Sequence, residues 1–246
     1  MQEEKMVSVI GIGPGGKQWL TREAEEAIRR SDLVVGYTVY VELVRAYFPE
    51  KEYLTTPMKQ EAKRCEMALA EANEGKQVAM VCSGDAGVYG MAGLMLELGT
   101  SYPNVEIRIC PGITAALAGG AVLGAPLTHD FAVISLSDLL TPKEKIEKRL
   151  KAAAMADFVI CLYNPSSKRR KDYLAWACGC MMEYKKKETV CGIVRNIGRE
   201  GQESKILTLE ELQHTQVDMF STVFVGNEET REIDGKMVTP RGYRNV

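Results

Sequence analysis

The amino-acid sequence predicts an α/β protein of two domains, residues 1–125 and 126–246, with a ligand cleft expected between them. Three observations predict it. Short apolar runs alternate with amphipathic segments through the first half of the chain, the pattern of βαβ units with parallel strands and right-handed crossovers. The alternation resets around Gly124-Ala125-Pro126. The 246 residues, 46% of them hydrophobic, suffice for two modest domains that each bury a core.

In order, the first half reads as strand 6–11, helix 21–31, strand 32–36, helix 60–74, strand 77–82, helix 90–99, strand 105–110 and helix 113–123. The second half reads as strand 131–135, helix 143–155, strand 157–162, helix 168–184, strand 189–194, a polar segment 198–205 and strand 221–225. A hairpin is expected across Ile233-Asp234-Gly235-Lys236. Thr21 is the best cap for the first helix, with Glu23, Glu25 and Glu26 placed to favour its dipole.

The first strand runs into a glycine loop in which Gly11, Gly13 and Gly16 match the dinucleotide spacing G-x-G-x-x-G. Pro14 removes an N–H from a loop that would have to cradle a pyrophosphate, and the helix opens at Thr21, not at Gly16. The strand 32–36 is followed by Tyr37 where a ribose-binding acid is expected. A nicotinamide dehydrogenase is therefore the weaker reading of this loop.

Net charge is −2, which gives no global pull toward nucleic acid or an anionic membrane. The clusters Lys168-Arg169-Arg170-Lys171 and Lys185-Lys186-Lys187 read as solvated helix ends. No apolar run reaches the roughly 20 residues that cross a bilayer, and the charged start Met-Gln-Glu-Glu-Lys leads straight into a strand, unlike a signal peptide. Seven cysteines, an odd number mostly inside apolar runs, suggest reduced buried thiols and a cytoplasmic location. Cys178-Gly179-Cys180 alone does not specify a metal site, and none is expected.

Ligands of open parallel sheets lie beyond the carboxyl ends of the strands, and the loops there carry the chemistry. Ser83-Gly84-Asp85-Ala86-Gly87-Val88 offers an acid between glycines: Asp85 meets a ligand hydroxyl or ammonium, or it caps the next helix. Pro111-Gly112-Ile113-Thr114-Ala115 feeds a helix of small residues, so Thr114 either binds a ligand beside free N–H groups or acts as an ordinary cap. His129-Asp130 sets one of two histidines beside an acid, a pair suited to proton transfer or to a structural contact. Tyr163-Asn164-Pro165, Arg195-Asn196 and Gly226-Asn227 follow later strands and are also ordinary turn residues.

Taken in order across residues 6–244, these motifs resemble the tetrapyrrole (corrin/porphyrin) methyltransferase family of S-adenosylmethionine enzymes. The glycine-proline loop, Ser83-Gly-Asp85 and Pro111-Gly-Ile-Thr-Ala115 resemble the family at large. Gly36-Tyr37, the run 129–142, Tyr163-Asn-Pro165 and Thr239-Pro-Arg-Gly-Tyr243 are similar to its C17-methylating, ring-contracting branch, which acts on precorrin-3B or cobalt-factor III in cobalamin synthesis. The resemblance implies S-adenosylmethionine held in the interdomain cleft by Pro14, Ser83, Gly84, Asp85, Val88, Thr114, Ala115, Tyr163, Asn164, Arg195 and Gly226. It implies a tetrapyrrole substrate whose many carboxylates need cations such as Arg195, Arg199 and Lys168, and a homodimer. His129 and Asp130 are the candidates for the proton transfers of contraction. Relatives that methylate uroporphyrinogen carry a proposed catalytic aspartate where this chain has Tyr37, which argues against that substrate. Some C17 enzymes carry an iron–sulfur domain, and none is expected before Val246. Sister branches modify rRNA or a protein histidine, and no basic face supports the former. A non-catalytic corrinoid carrier would not need the loops at 83–88 and 111–115.

Overall fold

The computed structural model describes residues 5–167 and 169–243. The chain divides into two compact units, Met1–Thr114 and Ala115–Val246.

The first unit runs β1 (Met6–Gly11), α1 (Arg22–Arg30), β2 (Leu33–Tyr37), α2 (Thr38–Arg45), β3 (Glu52–Thr56), α3 (Glu61–Asn73), β4 (Gln77–Cys82), α4 (Ala92–Gly99) and β5 (Glu106–Cys110). Its five strands form one parallel sheet in the order β3-β2-β4-β1-β5. Alternate side chains cover its two faces, as a parallel sheet buried on both sides requires. Val7, Val9, Leu33, Val35, Val78 and Met80 pack with α3 and α4, while Ile10, Val34, Ala79 and Val81 pack with α1 and α2. Thr21 caps α1 by accepting a hydrogen bond from the Ala24 N–H at 3.0 Å. The sequence pattern assigns no element between residues 37 and 59. The segment supplies α2 and the edge strand β3, both short, at eight and five residues.

The second unit runs α5 (Ala115–Leu123), β6 (Gly124–Ala125), β7 (Phe131–Ser135), α6 (Lys143–Met155), β8 (Val159–Tyr163), α7 (Tyr173–Met182), β9 (Val190–Arg195), β10 (Glu203–Thr208), α8 (Leu209–Gln213), β11 (Ser221–Val225), β12 (Arg231–Ile233) and β13 (Lys236–Val238). Its main sheet has the order β10-β9-β11-β8-β7, and only the β7–β8 pair is parallel. One face is covered by α6, α7 and α8 through Ile146, Leu150, Leu174, Met181 and Leu212. The other takes α5, whose Gly119 lies so close to Phe224 that a Cβ there would meet the ring at 2.9 Å. This packing assigns α5 to the second unit, upstream of the composition change at 124–126. The polar segment 198–205 contains the start of β10 at Glu203, an edge strand whose exposed Glu203, Ser204 and Lys205 mask its strand character.

The expected hairpin is β12–β13, and β13 also pairs in parallel with β6 to form a three-stranded sheet. A threonine cluster secures it. Thr239 is fully buried, its hydroxyl lies 2.8 Å from Thr230 Oγ1, and its carbonyl accepts from Thr128 Oγ1. All seven cysteines are buried and free. Burial pushes the thiols of Cys65, Cys161 and Cys178 up to about 12.

Candidate active site

In the first unit the loops after β1, β4 and β5 meet at three glycines. A Cβ on Gly11 would lie 2.7 Å from both Gly112 N and Gly84 O. A Cβ on Gly112 would lie 2.6 Å from Gly11 C and O, and closer still to Gly84 O. Gly13, at φ +72°, donates to Gly84 O at 3.0 Å, and Gly84 N–H donates back to Gly13 O at 2.8 Å. The G-x-G spacing thus serves loop-to-loop contact: without side chains in the way, three strand ends can present main-chain groups together. Pro14 is buried directly beyond this contact.

Asp85 fixes the middle loop. One carboxylate oxygen accepts from the Gly87 and Val88 N–H groups at 2.8 and 3.1 Å, and the other accepts from Gly112 N–H at 2.8 Å. Its carboxylate therefore binds the loop after β4 to the loop after β5, in addition to whatever ligand it meets. Held between Val88 and Gly90 is Tyr89, at φ +53° and with 57% of its surface exposed. A β-carbon in the left-handed region costs about 1–2 kcal/mol, and such strain persists where neighbouring structure over-determines it, often at ligand sites. Ser83, Val88 and Thr114 are half-buried around these loops.

In the second unit, Tyr163 ends β8 and its hydroxyl accepts from the Ala116 N–H at 2.7 Å, satisfying an N–H in the first turn of α5. Ala115 opens that helix. Asn164 adopts φ +52° and donates from Nδ2 to Ser135 Oγ at 3.0 Å, which ties the ends of β7 and β8 together. Arg195, at the end of β9, does not stand as an isolated cation. Its Nε donates to Asp218 Oδ2 at 2.7 Å. Burial raises the Asp218 carboxyl's pKa, but hydrogen bonds from Arg195, Ser221 and the Phe220 N–H outweigh it and hold the group below its ordinary value. Gly226 is buried against Thr230, and its N–H donates to Val190 O at 2.9 Å.

His129 and Asp130 lie side by side, with 3.6 Å between Nδ1 and Oδ2, and both side chains are well exposed. His129 Nδ1 accepts from the Asp130 N–H at 2.9 Å, so the neutral ring is the Nε2–H tautomer, with that N–H as its hydrogen-bond donor. Nearby in sequence, Tyr173 Oη donates to Asp138 Oδ2 at 2.6 Å, with Arg170 Nη1 at 3.6 Å from the same carboxylate. The Tyr173 bond lowers the pKa of Asp138 and raises that of the phenol. Lys168 lies outside the described residues.

Sequence reasoning missed Asp218, Tyr89 and Arg64. Asp218 falls in a polar stretch without pattern. Tyr89 carries no sequence signal for its backbone conformation. Arg64 did carry one: it shares the buried face of α3 with Ala68 and Ala72, at i, i+4 and i+8.

Residues 6–213 match the family Tetrapyrrole (Corrin/Porphyrin) Methylases. A "Probable cobalt-factor III C(17)-methyltransferase" of Salmonella typhimurium is 49% identical over 97% of this chain and 99% of its own length. A protein of the same name from Methanocaldococcus jannaschii is 45% identical over 97% of this chain and 98% of its own. The crystal structure of the methyltransferase CobJ superposes with a TM-score of 0.87 at 36% identity, covering 96% of this chain and 99% of that one. The chain belongs to the tetrapyrrole (corrin/porphyrin) methylase family.

Proposed function

We propose that the protein is an S-adenosylmethionine-dependent methyltransferase that methylates C17 of cobalt-factor III and contracts its ring in cobalamin biosynthesis. The observation that carries this reading is near-full-length identity of 49% and 45% to two proteins named for that reaction. Those names favour the cobalt-bearing substrate over precorrin-3B.

The three-glycine contact supports this reading by bringing together the loops that carry Pro14, Ser83, Asp85 and Thr114, an approach that a Cβ at Gly11 or Gly112 would block. Pro14, Ser83, Gly84, Asp85, Val88 and Thr114 of the first unit would hold the cofactor. When bound, S-adenosylmethionine supplies an electrophilic methyl group on a sulfonium. The protein's own task is then positional: to hold donor and acceptor in line and exclude water, since the electron-rich macrocycle carbon is itself the nucleophile. Asp85 does this indirectly by fixing two loops in register.

Ring contraction needs protons moved, and His129 is the proposed donor. In the neutral ring Nδ1 accepts from the Asp130 N–H; as a proton donor the ring acts from its doubly protonated form, giving up the Nε2 proton while Nδ1–H faces Asp130 Oδ2, 3.6 Å away. The reaction is placed in the cytoplasm, a reading that seven free buried thiols support, and the working form is taken to be a homodimer, as the family resemblance implies.

Mass spectrometry of products from S-adenosylmethionine with cobalt-factor III, and separately with precorrin-3B, tests the proposal. A singly methylated, contracted product from cobalt-factor III is expected. Faster turnover of precorrin-3B would replace the cobalt-first assignment, and turnover of neither would remove the proposal.

A further inference from the structure

Arg64 is a buried cation without a carboxylate. It lies in the first turns of α3 and retains 4% of its surface exposure. Its Nε donates to Thr56 Oγ1 at 2.8 Å and Nη2 donates to Pro57 O at 3.2 Å, while Nη1 lies 4.0 Å from Met91 Sδ. The guanidinium carbon is 5.9 Å from the centre of the Tyr37 ring. These partners are all neutral, and among the described residues no carboxylate lies within 4 Å of Arg64. The other cation with comparable burial, Lys185, has Asp157 Oδ1 at 2.8 Å. Asp85 cannot serve as a hidden counter-ion without leaving the three N–H groups on which its oxygens are spent.

Desolvating a guanidinium against neutral acceptors alone is unfavourable, and removing one partner of a buried ion pair leaves this same situation. Folds retain such a charge where a ligand completes it. The position agrees: Thr56 ends β3, Tyr37 ends β2 and Met91 follows the loop after β4, so Arg64 sits at the carboxyl edge of the parallel sheet, where ligands of such sheets bind. A planar fork with two N–H groups beyond its three contacts suits a carboxylate.

We infer that Arg64 is a carboxylate-binding residue that grips one acidic side chain of the macrocycle, with Tyr37 beside it and the Met91 thioether as the group the carboxylate displaces. The inference rests on the tetrapyrrole reading proposed above.

The test compares wild type with R64Q, and with R64M, which fills the site with an unbranched apolar chain should R64Q fail to fold. With cobalt-factor III, the KM of a folded variant is expected to rise about 10–100-fold, the range for one charged hydrogen-bonding contact. The Kd for S-adenosylhomocysteine by calorimetry is expected to stay within twofold, and R64K to fall between. An unchanged KM, or a cofactor Kd that weakens in step with KM, overturns the inference in favour of a purely structural arginine. Should wild type turn over no tetrapyrrole, the functional reading fails, and direct absorbance titration decides the inference alone. Wild type is then expected to bind uroporphyrin more tightly than its methyl ester, and R64Q to lose about tenfold of that preference. Equal discrimination by both proteins overturns it.

Discussion

Gly112→Ala is the most direct perturbation of the loop contact that organises the first unit. The added Cβ lies 2.6 Å from Gly11 C and O, with Gly84 O closer still, and all of these are backbone atoms. Ordinary contact is about 3.5 Å, so the loop after β1 must retreat by nearly 1 Å and the loop after β4 by more than that, with no rotamer through which to escape. Overpacking of this kind costs about 1–3 kcal/mol. Opening the reciprocal Gly13–Gly84 pair adds about 1 kcal/mol for each bond lost. A destabilisation of about 3 kcal/mol is expected, lowering the unfolding temperature by about 6–12 °C. Because Pro14, Ser83 and Asp85 of the proposed cofactor site ride on these loops, S-adenosylhomocysteine affinity is expected to weaken about tenfold, equivalent to ~1.4 kcal/mol. Differential scanning and isothermal titration calorimetry on one preparation read both quantities. A variant that melts with wild type and binds the cofactor equally well would refute the argument that the glycines are required for loop approach.

Four other perturbations have defined outcomes. Tyr89→Gly releases about 1–2 kcal/mol of left-handed strain against about 0.5–1 kcal/mol of added chain entropy, so thermal stability should hold or rise slightly; a clear drop in melting temperature contradicts the strain. His129→Ala should leave S-adenosylhomocysteine affinity near wild type while contraction is lost, and unchanged turnover sinks the donor role. Asp218 has a depressed carboxyl pKa, so its pairing stabilises the fold above the usual aspartate range and is lost as pH falls through the lower folded value. The melting temperatures of wild type and Asp218→Asn should therefore converge in acid, and a gap that stays constant from pH 7 down to pH 3 rejects the pair's contribution. Finally, thiols pushed up to about 12 (Cys65, Cys161 and Cys178) have a thiolate fraction of about one in ten thousand at pH 8. Iodoacetamide should label them only after denaturation, and rapid native labelling at these positions would show that they open locally.

The parallel half of the fold was legible because its strands are apolar on both faces and its helices are amphipathic. Residues 6–11 and 77–82 match β1 and β4 residue for residue. The segment 38–56 was not, since an eight-residue helix and an exposed edge strand owe their form to the neighbours they pack on. β10 was hidden for a related reason: Glu203, Ser204 and Lys205 are all exposed and read as loop. Among the candidate residues, Gly11, Gly84 and Gly112 could be named from spacing, but not the fact that they touch one another. Asp85 was identified as a polar group in a glycine loop, while its three backbone partners come from two loops that no local pattern links. Arg195 illustrates the converse limit, because its partner Asp218 lies 23 positions away.

The parallel pairing of β6 with β13 has a consequence for the order in which the chain acquires its structure. Gly124 and Ala125 meet Met237 and Val238, and the carbonyl of Ala125 accepts from the Thr239 N–H. Every strand of the first sheet, by contrast, lies before Thr114. During synthesis the N-terminal unit therefore has all its pairing partners while the remainder is still being made. The second unit must wait with an open strand at 124–125 until the last hairpin emerges, a closure over more than a hundred residues that carries the entropic penalty of distant contacts. Ribosome-stalled chains released shortly before residue 236 should thus present a protease-resistant first unit followed by a sensitive second one.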